Sequence, residues 1–172
     1  MTRVLKAALA ALLLVCLPLV AGARAAELAP PAGKPVLTVT GAIETRNTPE
    51  AAVFDLAMLQ ALPKASFTTG TIWTDRPVTF EGVRVKDLLA AIGATGGSLH
   101  AIALNDYAVD IPVSDATADG PIIAYAIDGR ALPVRNRGPL WIVYPYDAKA
   151  DYRSEVVYSR SIWQLNRIDV RP

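Results

Sequence analysis

The fold is decided by one stretch, Leu132-Pro133-Val134-Arg135-Asn136-Arg137-Gly138-Pro139-Leu140-Trp141-Ile142-Val143-Tyr144-Pro145-Tyr146. Residues 140–144 form a short apolar, β-branched and aromatic run, which is typical of a buried strand. The pair Gly138-Pro139 directly before it disfavours both a helix and regular strand pairing. Arg135 and Arg137 therefore stand on a loop that leads straight into the predicted core.

These two arginines are the first candidates for a binding role. An arginine side chain carries a planar fork of donors that matches a carboxylate, a phosphate or the edge of a planar heterocycle. The alternative is a solvated turn whose two charges simply face water. The loop alone does not decide between the two interpretations.

The start of the chain predicts a secretory signal peptide. Arg3 and Lys6 precede an apolar run over residues 7–20, and Ala23-Arg24-Ala25 supplies an A-x-A cleavage pattern. The run is short for a membrane span, although an uncleaved anchor helix is the alternative. We expect residues 1–25 to be removed and the protein to be periplasmic.

Composition then excludes several kinds of site. Without residues 1–25, 14 of the 17 basic residues remain against 16 acidic ones, so the net charge is −2 and no nucleic-acid partner is expected. The one cysteine, Cys16, lies in the predicted signal peptide, and His100 is the one histidine. A Cys/His zinc site and a cysteine nucleophile are therefore excluded from the mature protein. We expect His100 to be a strand-edge residue rather than a catalytic base, and we predict no catalytic residue.

Local patterns predict short helices among strands. Asp55 is placed to cap a helix that runs to Leu62. A second helix over residues 85–92 has its apolar residues on one face and ends at Gly93. Asp128-Gly129 predicts a tight hairpin.

The remaining apolar runs predict strands. They cover residues 35–40, 64–73, 78–81, 99–104, 107–111 and 121–127, with a terminal strand or two in 156–170. Because helices do not alternate regularly with strands, the fold class is α+β: one domain with a mixed, mostly β sheet core and two or three short helices. Residues 26–35 are a predicted linker and residues 36–172 the domain.

In this order, the motifs resemble the molybdopterin-binding domain of the sulfite-oxidase family. The matching pieces are Phe80-Glu81-Gly82-Val83 with Asp87-Leu88-Leu89, Asn105-Asp106-Tyr107 with Ile111-Pro112, Ala124-Tyr125 with Asp128-Gly129 and Leu132-Pro133, Gly138-Pro139-Leu140, and a last strand around Trp163. None is specific alone. The ordered set, from Val36 to the C-terminus, carries the resemblance.

One segment departs from the family pattern. In the enzymes that this chain resembles, a cysteine thiolate binds molybdenum just before an aromatic segment, whereas this chain reads Phe67-Thr68-Thr69-Gly70-Thr71-Ile72-Trp73. A neutral hydroxyl is a poor substitute for sulfur on such a metal. We therefore expect no molybdenum and no metal site, but a retained pocket for a pterin.

The resemblance implies a cofactor pocket for a flat heterocycle with donors and acceptors on one edge, which calls for aromatic walls and a few polar groups. The predicted pterin-binding residues are Trp73, Asn105, Asp106, Tyr107, Arg135, Arg137, Trp141 and Arg160.

Each role has a structural alternative. Trp73 and Trp141 are candidate stacking walls, but Trp141 lies inside an apolar strand and equally fits the core. Residues 105–107 are placed to contact the pterin edge, where the carboxylate of Asp106 can accept two N–H bonds, or they form only a hairpin turn. Arg160 is expected to close the pocket or to be an ordinary strand charge.

Three functions remain open on this basis. The first is a periplasmic, metal-free pterin-binding protein; its resemblance to similar small secreted proteins implies a partner, the periplasmic domain of an inner-membrane signalling protein such as a cyclic-di-GMP enzyme or a histidine kinase. The second is a molybdenum-cofactor oxidoreductase or a subunit of one. The third is a secreted structural domain that kept the fold and lost the ligand.

Overall fold

The computed structural model describes residues 28–172. The predicted signal peptide, residues 1–25, lies outside them, as do the first two residues of the predicted linker. The rest of that linker forms no helix or strand before Pro35, yet it is hydrogen-bonded to the domain. Asn47 Nδ2 donates to the carbonyl of Ala29 at 2.9 Å, and the Gly33 amide donates to Asp55 Oδ2 at 2.7 Å.

Ten strands in residues 28–172 form two sheets. The strands are β1 (Pro35–Gly41), β2 (Ala52–Asp55), β3 (Lys64–Thr69), β4 (Val78–Arg84), β5 (Ser98–Ala103), β6 (Ala108–Pro112), β7 (Ile122–Ile127), β8 (Arg130–Ala131), β9 (Trp141–Val143) and β10 (Leu165–Arg171). The first sheet has the order β2-β1-β10-β5-β6, and only its β1–β10 pair is parallel. The second has the order β3-β4-β7-β8, with β9 also paired to β7, and is antiparallel.

Three short α-helices complete the domain over the same residues: α1 (Leu56–Ala61), α2 (Val85–Ala91) and α3 (Glu155–Arg160). Asp55 caps α1 by accepting a hydrogen bond from the Met58 amide at 2.9 Å, as predicted. Helix α2 is followed by Gly93 with φ +59°, a conformation that favours glycine. The predicted α+β class with a mixed sheet is therefore confirmed. Within the described chain no helix has the length and apolar character needed to span a bilayer.

The C-terminal prediction is partly wrong, because residues 155–160 are helical and only residues 165–171 form a strand. Ser154 caps the helix through a hydrogen bond from the Val157 amide at 3.4 Å. The β-branched pair Val156-Val157 favours a strand locally, and the cap together with the packing of buried Val157 overrides that preference. The predicted strand 64–73 also ends early, at Thr69.

The stretch 132–146 enters the core as predicted. All three residues of β9 are buried and pair with β7. Arg137 adopts a left-handed conformation with φ +66°. Gly138 is required by close approach, since a Cβ there would lie 2.1 Å from the Leu132 carbonyl oxygen. Side chains from both sheets then share one hydrophobic core.

Candidate binding site

An aromatic cavity of about 320 Å³ lies where three chain segments meet. The segments are the turn after β3, the β5–β6 turn, and the end of α3 with the residues that follow it. Its lining residues are Trp73, Ala103, Asn105, Tyr107, Tyr158, Ser159, Ser161, Ile162 and Trp163. This volume is at the lower end of the range for small-molecule sites, which matches a compact, flat ligand.

Trp73 is presented by a short hydrogen-bonded turn. The Thr71 hydroxyl accepts a hydrogen bond from the Trp73 amide at 3.0 Å and is also bonded to the Thr74 hydroxyl at 3.0 Å. These bonds compete with strand pairing, which explains why β3 ends before Trp73. Arg137 adds a third bond to this turn by donating to the Trp73 carbonyl at 3.1 Å.

The β5–β6 turn brings Asn105 and Tyr107 into the same lining. Asp106 occupies the left-handed region with φ +63°, which asparagine and aspartate tolerate better than most residues. Asn105 Oδ1 accepts from the Tyr107 amide at 3.2 Å. The Asn105 oxygen is therefore engaged by the turn itself, and the Nδ2 group is the part of this amide left to meet a ligand.

Helix α3 is held by a buried polar network. Tyr146 donates to the Ser161 hydroxyl at 2.6 Å, and Ser161 in turn donates to the Val157 carbonyl at 2.8 Å. Arg160, the last residue of the helix, and the Tyr144 hydroxyl both donate to Asp115 Oδ2, at 3.0 Å and 2.7 Å. These bonds fix the wall that carries Tyr158 and Ser159.

The network depends on protonated tyrosines. Burial raises the pKa of Tyr144 well above its usual value, and the hydrogen bond to Asp115 adds to the effect. Burial likewise raises the pKa of Tyr146, although its hydrogen bond to Ser161 opposes the rise. Both hydroxyls therefore remain donors throughout the neutral range.

The aromatic side chains around the cavity fall into two groups. The inner aromatic group is Trp141, Tyr144 and Tyr146, and each of these side chains is almost completely buried. Each also donates its polar hydrogen to the protein, Trp141 Nε1 to the Ser161 carbonyl at 3.2 Å and the two hydroxyls as described above.

The outer aromatic group is Trp73, Tyr107, Tyr158 and Trp163, all of which line the cavity. Trp73 lies at its centre, with ring centroids 5.8 Å from Tyr158 and 5.7 Å from Trp163, both nearly perpendicular. Within residues 28–172 the indole N–H and phenol groups of this group form no hydrogen bond, and the side chains of Tyr107 and Trp163 are 54% and 38% exposed. They are therefore available to a ligand.

The predicted site residues divide into three sets. Trp73, Asn105 and Tyr107 line the cavity. Trp141 and Arg137 lie behind the lining: the Arg137 guanidinium is 5.3 Å from the centre of the Trp141 ring and 5.9 Å from that of Trp163. Arg137 thus supports the aromatic wall by a cation–π contact.

The third set, Asp106, Arg135 and Arg160, is not among the lining residues. Asp106 forms an ion pair with Arg167, and Arg160 is directed to Asp115. Arg135 is exposed in the loop before β9. These three side chains therefore lie outside the lining of the cavity that contains Trp73, and their predicted role in pterin binding stays a prediction.

The sequence prediction omitted six of the nine lining residues: Ala103 on β5, and Tyr158, Ser159, Ser161, Ile162 and Trp163, which lie at the end of α3 and directly after it. The sequence signal for the last five was Ser154, whose capping side chain starts the helix that brings them together. Read as a strand, residues 158–161 place alternate side chains on opposite faces, which hides the shared wall.

Hydrogen bonds hold residues 68–70, which lie in the segment where the resemblance leads us to expect a thiolate in the enzymes. Thr68 is bonded to the Thr79 hydroxyl at 2.8 Å. Buried Thr69 accepts from the Asp147 amide at 3.1 Å, and the Gly70 amide donates to Asp147 Oδ2 at 2.6 Å. Residues 28–172 contain no cysteine and no group of three or more metal-binding side chains, so this donor set does not fit a thiolate-bound molybdenum.

Comparison with protein families decides the wider relationship. A model described as the oxidoreductase molybdopterin binding domain matches residues 36–150. The chain belongs to this family. The predicted relationship to the sulfite-oxidase molybdopterin-binding domain is therefore confirmed. The match ends before α3, so the wall formed by Tyr158 and Trp163 lies beyond the matched residues.

A search of curated proteins found no sequence that matches this chain. Among solved structures, the chain is similar to the sulfane dehydrogenase SoxCD from Paracoccus pantotrophus, with a TM-score of 0.60 and 19% sequence identity. The alignment covers 78% of this chain but only 37% of that one. At this identity the likeness shows a shared fold.

Proposed function

We propose that this protein is a periplasmic pterin-binding protein that acts without molybdenum. The aromatic cavity carries this proposal, because its outer aromatic group offers flat walls together with free indole and phenol donors. The Nδ2 group of Asn105 and the hydroxyl oxygen of Ser159 add neutral polar groups to the same space, whereas the Ser161 hydroxyl is already bonded to Tyr146 and Val157. Such a lining suits a planar heterocycle with a polar edge.

The charge of the lining points to an uncharged pterin. No lysine or arginine is among the lining residues of the cavity in the described chain, and Arg137 is engaged with Trp73 and the tryptophan rings. A phosphate group binds best where cationic donors converge. We therefore expect a pterin without phosphate to bind more tightly than a phosphorylated one.

The groups present at Thr69 and Gly70 support a function that does not use molybdenum. The hydroxyl of buried Thr69 and the amide of Gly70 are already bonded to Asp147. When bound, molybdenum would supply redox chemistry. The metal would need a soft ligand such as a thiolate, and residues 28–172 contain no cysteine.

The predicted signal peptide supports the periplasmic location, and the resemblance to small secreted pterin-binding proteins supports the partner. In that compartment the protein would bind a small diffusible pterin. A binding protein without its own chemistry needs a recipient for its signal. We assign that role to the periplasmic domain of an inner-membrane signalling protein, a cyclic-di-GMP enzyme or a histidine kinase.

The test is a fluorescence titration of the purified protein with biopterin and neopterin, each oxidised and reduced, and with a phosphorylated pterin. Trp163→Ala removes one wall of the cavity, and we expect it to weaken binding by about 10- to 100-fold, since stacking on an aromatic side chain contributes ~1–3 kcal/mol. Val156→Ser is the matched control, because Val156 lies on α3 but is exposed and outside the lining. We expect Arg135→Ala also to leave the affinity unchanged. Equal affinity for the wild type and Trp163→Ala would remove the cavity as the site.

A molybdenum-cofactor oxidoreductase, or a subunit of one, is the second candidate. The similarity to a sulfane dehydrogenase favours it, although this chain spans only 37% of that protein. Elemental analysis of protein purified from its native periplasm separates the two. About one molybdenum atom per chain would establish the enzyme, whereas a bound fluorescent pterin without molybdenum supports the binding protein.

A further inference from the structure

A second cleft, of about 340 Å³, opens between the first residues of β1 and β10. We call it the basic cleft and use six of its lining residues: Lys34, Leu104, Val134, Pro139, Asn166 and Arg167. Its apolar side chains are unusually exposed, since Leu104 is 46% and Val134 52% accessible. Apolar side chains that protrude together at one cleft mark a surface for another molecule.

The cleft is produced by two irregular strands side by side. The pairing of β1 with β2 shifts register between Pro35 and Leu37, and the pairing of β10 with β5 shifts between Leu165 and Arg167. Bulges of this kind change the direction of a strand and redirect its side chains. Asn166 occupies the second bulge, and its Oδ1 is the one buried side-chain oxygen or nitrogen in residues 28–172 without a hydrogen-bond partner.

The charge of the cleft is positive. Lys34 and Arg167 line it, no carboxylate does, and exposed Arg135 directly follows Val134. Arg167 is paired with Asp106, but the Asp106 side chain is 81% exposed, so solvent weakens that pair. This positive surface lies on a chain whose mature form has a slight net negative charge, and it therefore selects an acidic partner locally.

Gln164 joins the basic cleft to the aromatic cavity. Its side-chain amide donates to the Val134 carbonyl at 2.7 Å, and its backbone carbonyl accepts from the Leu104 amide at 2.9 Å. The preceding residue in the chain is Trp163, which lines the cavity. A partner bound at the cleft would thus contact the two residues that Gln164 holds beside the cavity wall.

From these observations we infer that the basic cleft docks an acidic segment of a partner protein, with one large apolar side chain between Leu104 and Val134 and carboxylates beside Lys34 and Arg135. This inference deepens the proposed function and rests on it for the existence of a partner. Its test contains no pterin, so its failure and a failure of pterin binding are separate results.

The test selects peptides from a random phage-displayed library against the immobilised wild-type protein. We expect the enriched sequences to place an aspartate or glutamate next to a large apolar residue. A synthetic peptide of that sequence should shift the backbone NMR signals of Leu104, Val134 and Asn166. The variants Val134→Ser and Arg135→Glu, both at exposed positions, should each weaken it at least 10-fold. Val156→Ser is the control and should not, because Val156 is exposed on α3 and lines neither the cleft nor the cavity.

Three results would overturn the inference. One is enrichment of peptides without acidic residues, and another is binding that both Val134→Ser and Arg135→Glu leave unchanged. The third is a concentration-dependent dimer in sedimentation that Val134→Asp abolishes, because the occupant of the cleft would then be a second copy of this chain. Circular dichroism of each variant confirms that the fold is intact.

Discussion

The inner and outer aromatic groups touch each other but differ in where their polar atoms go. Trp141 and Trp163 show the difference most simply, since their rings lie 6.2 Å apart and nearly perpendicular. Trp141 is fully buried and donates its indole N–H to the backbone carbonyl of Ser161. Trp163 is 38% exposed, and its indole N–H donates to no residue within 28–172. A side chain whose hydrogen-bonding capacity is used inside the protein supports the fold. A neighbour with unused capacity at a cavity supports binding.

The largest expected effect tests this contrast on the two tryptophans. Trp141→Ala empties a fully buried site and leaves the Ser161 carbonyl without its donor, so it should lower the free energy of unfolding by about 3–5 kcal/mol. Trp163→Ala should cost less than half as much, because part of its ring already faces solvent. Urea denaturation measures both. Similar losses for the two variants would mean that the two groups do not differ in role.

The second prediction concerns pH. The folded-state pKa values of Tyr144 and Tyr146 lie above the ordinary tyrosine value of about 10. Above pH ~10 the unfolded chain therefore releases two phenol protons that the folded protein keeps. This stabilisation is fully present below pH ~10 and is lost as the pH rises further, by about 1.4 kcal/mol per pH unit for each tyrosine.

The matched control for this prediction is the double variant Tyr144→Phe, Tyr146→Phe. It should be less stable than the wild type at pH 8 and should show a flatter decline between pH 10 and pH 11 in urea denaturation. An equally steep decline in the double variant would assign the alkaline loss of stability to other groups.

The smallest effect compares two tyrosines in contact, Tyr146 and Tyr158, whose ring centroids are 5.2 Å apart. Tyr146→Phe removes the hydrogen bond to Ser161 and should cost about 1 kcal/mol. Tyr158→Phe removes a hydroxyl that has no partner in the described chain and should leave the unfolding free energy unchanged within ~0.5 kcal/mol. For pterin affinity we expect the reverse order, with Tyr158→Phe weakening binding more than Tyr146→Phe.

Local sequence signals predicted much of the fold. The cap at Asp55, the amphipathic pattern of α2, the Asp128-Gly129 hairpin and the buried strand β9 each depend on neighbours within a few residues, and all are present. Helix α3 was missed because its β-branched residues favour a strand, and its stability comes from burial and from contacts with distant residues.

The site was harder to predict for the same reason. Trp73, Asn105 and Tyr107, which line the cavity, can be picked out in the sequence because their turns carry polar or aromatic residues at strand ends. The ion pair of Arg160 with Asp115 could not be predicted, because the two residues are 45 positions apart and no local pattern indicates their contact. Arg160 was therefore expected to close the pocket or to be an ordinary strand charge. The cavity itself is a product of the same long-range packing, which places Trp163 against Trp73.

The most direct test of the central claim uses the indole N–H signals of the three tryptophans in a ¹⁵N-labelled sample. Titration with an unphosphorylated pterin should shift the Trp73 and Trp163 signals in a saturable way and leave that of Trp141 much less changed, since its N–H stays bonded to Ser161. Single substitutions at Trp73 and Trp163 assign the signals. If saturating pterin moves neither the Trp73 nor the Trp163 signal, the outer aromatic group is not a pterin site.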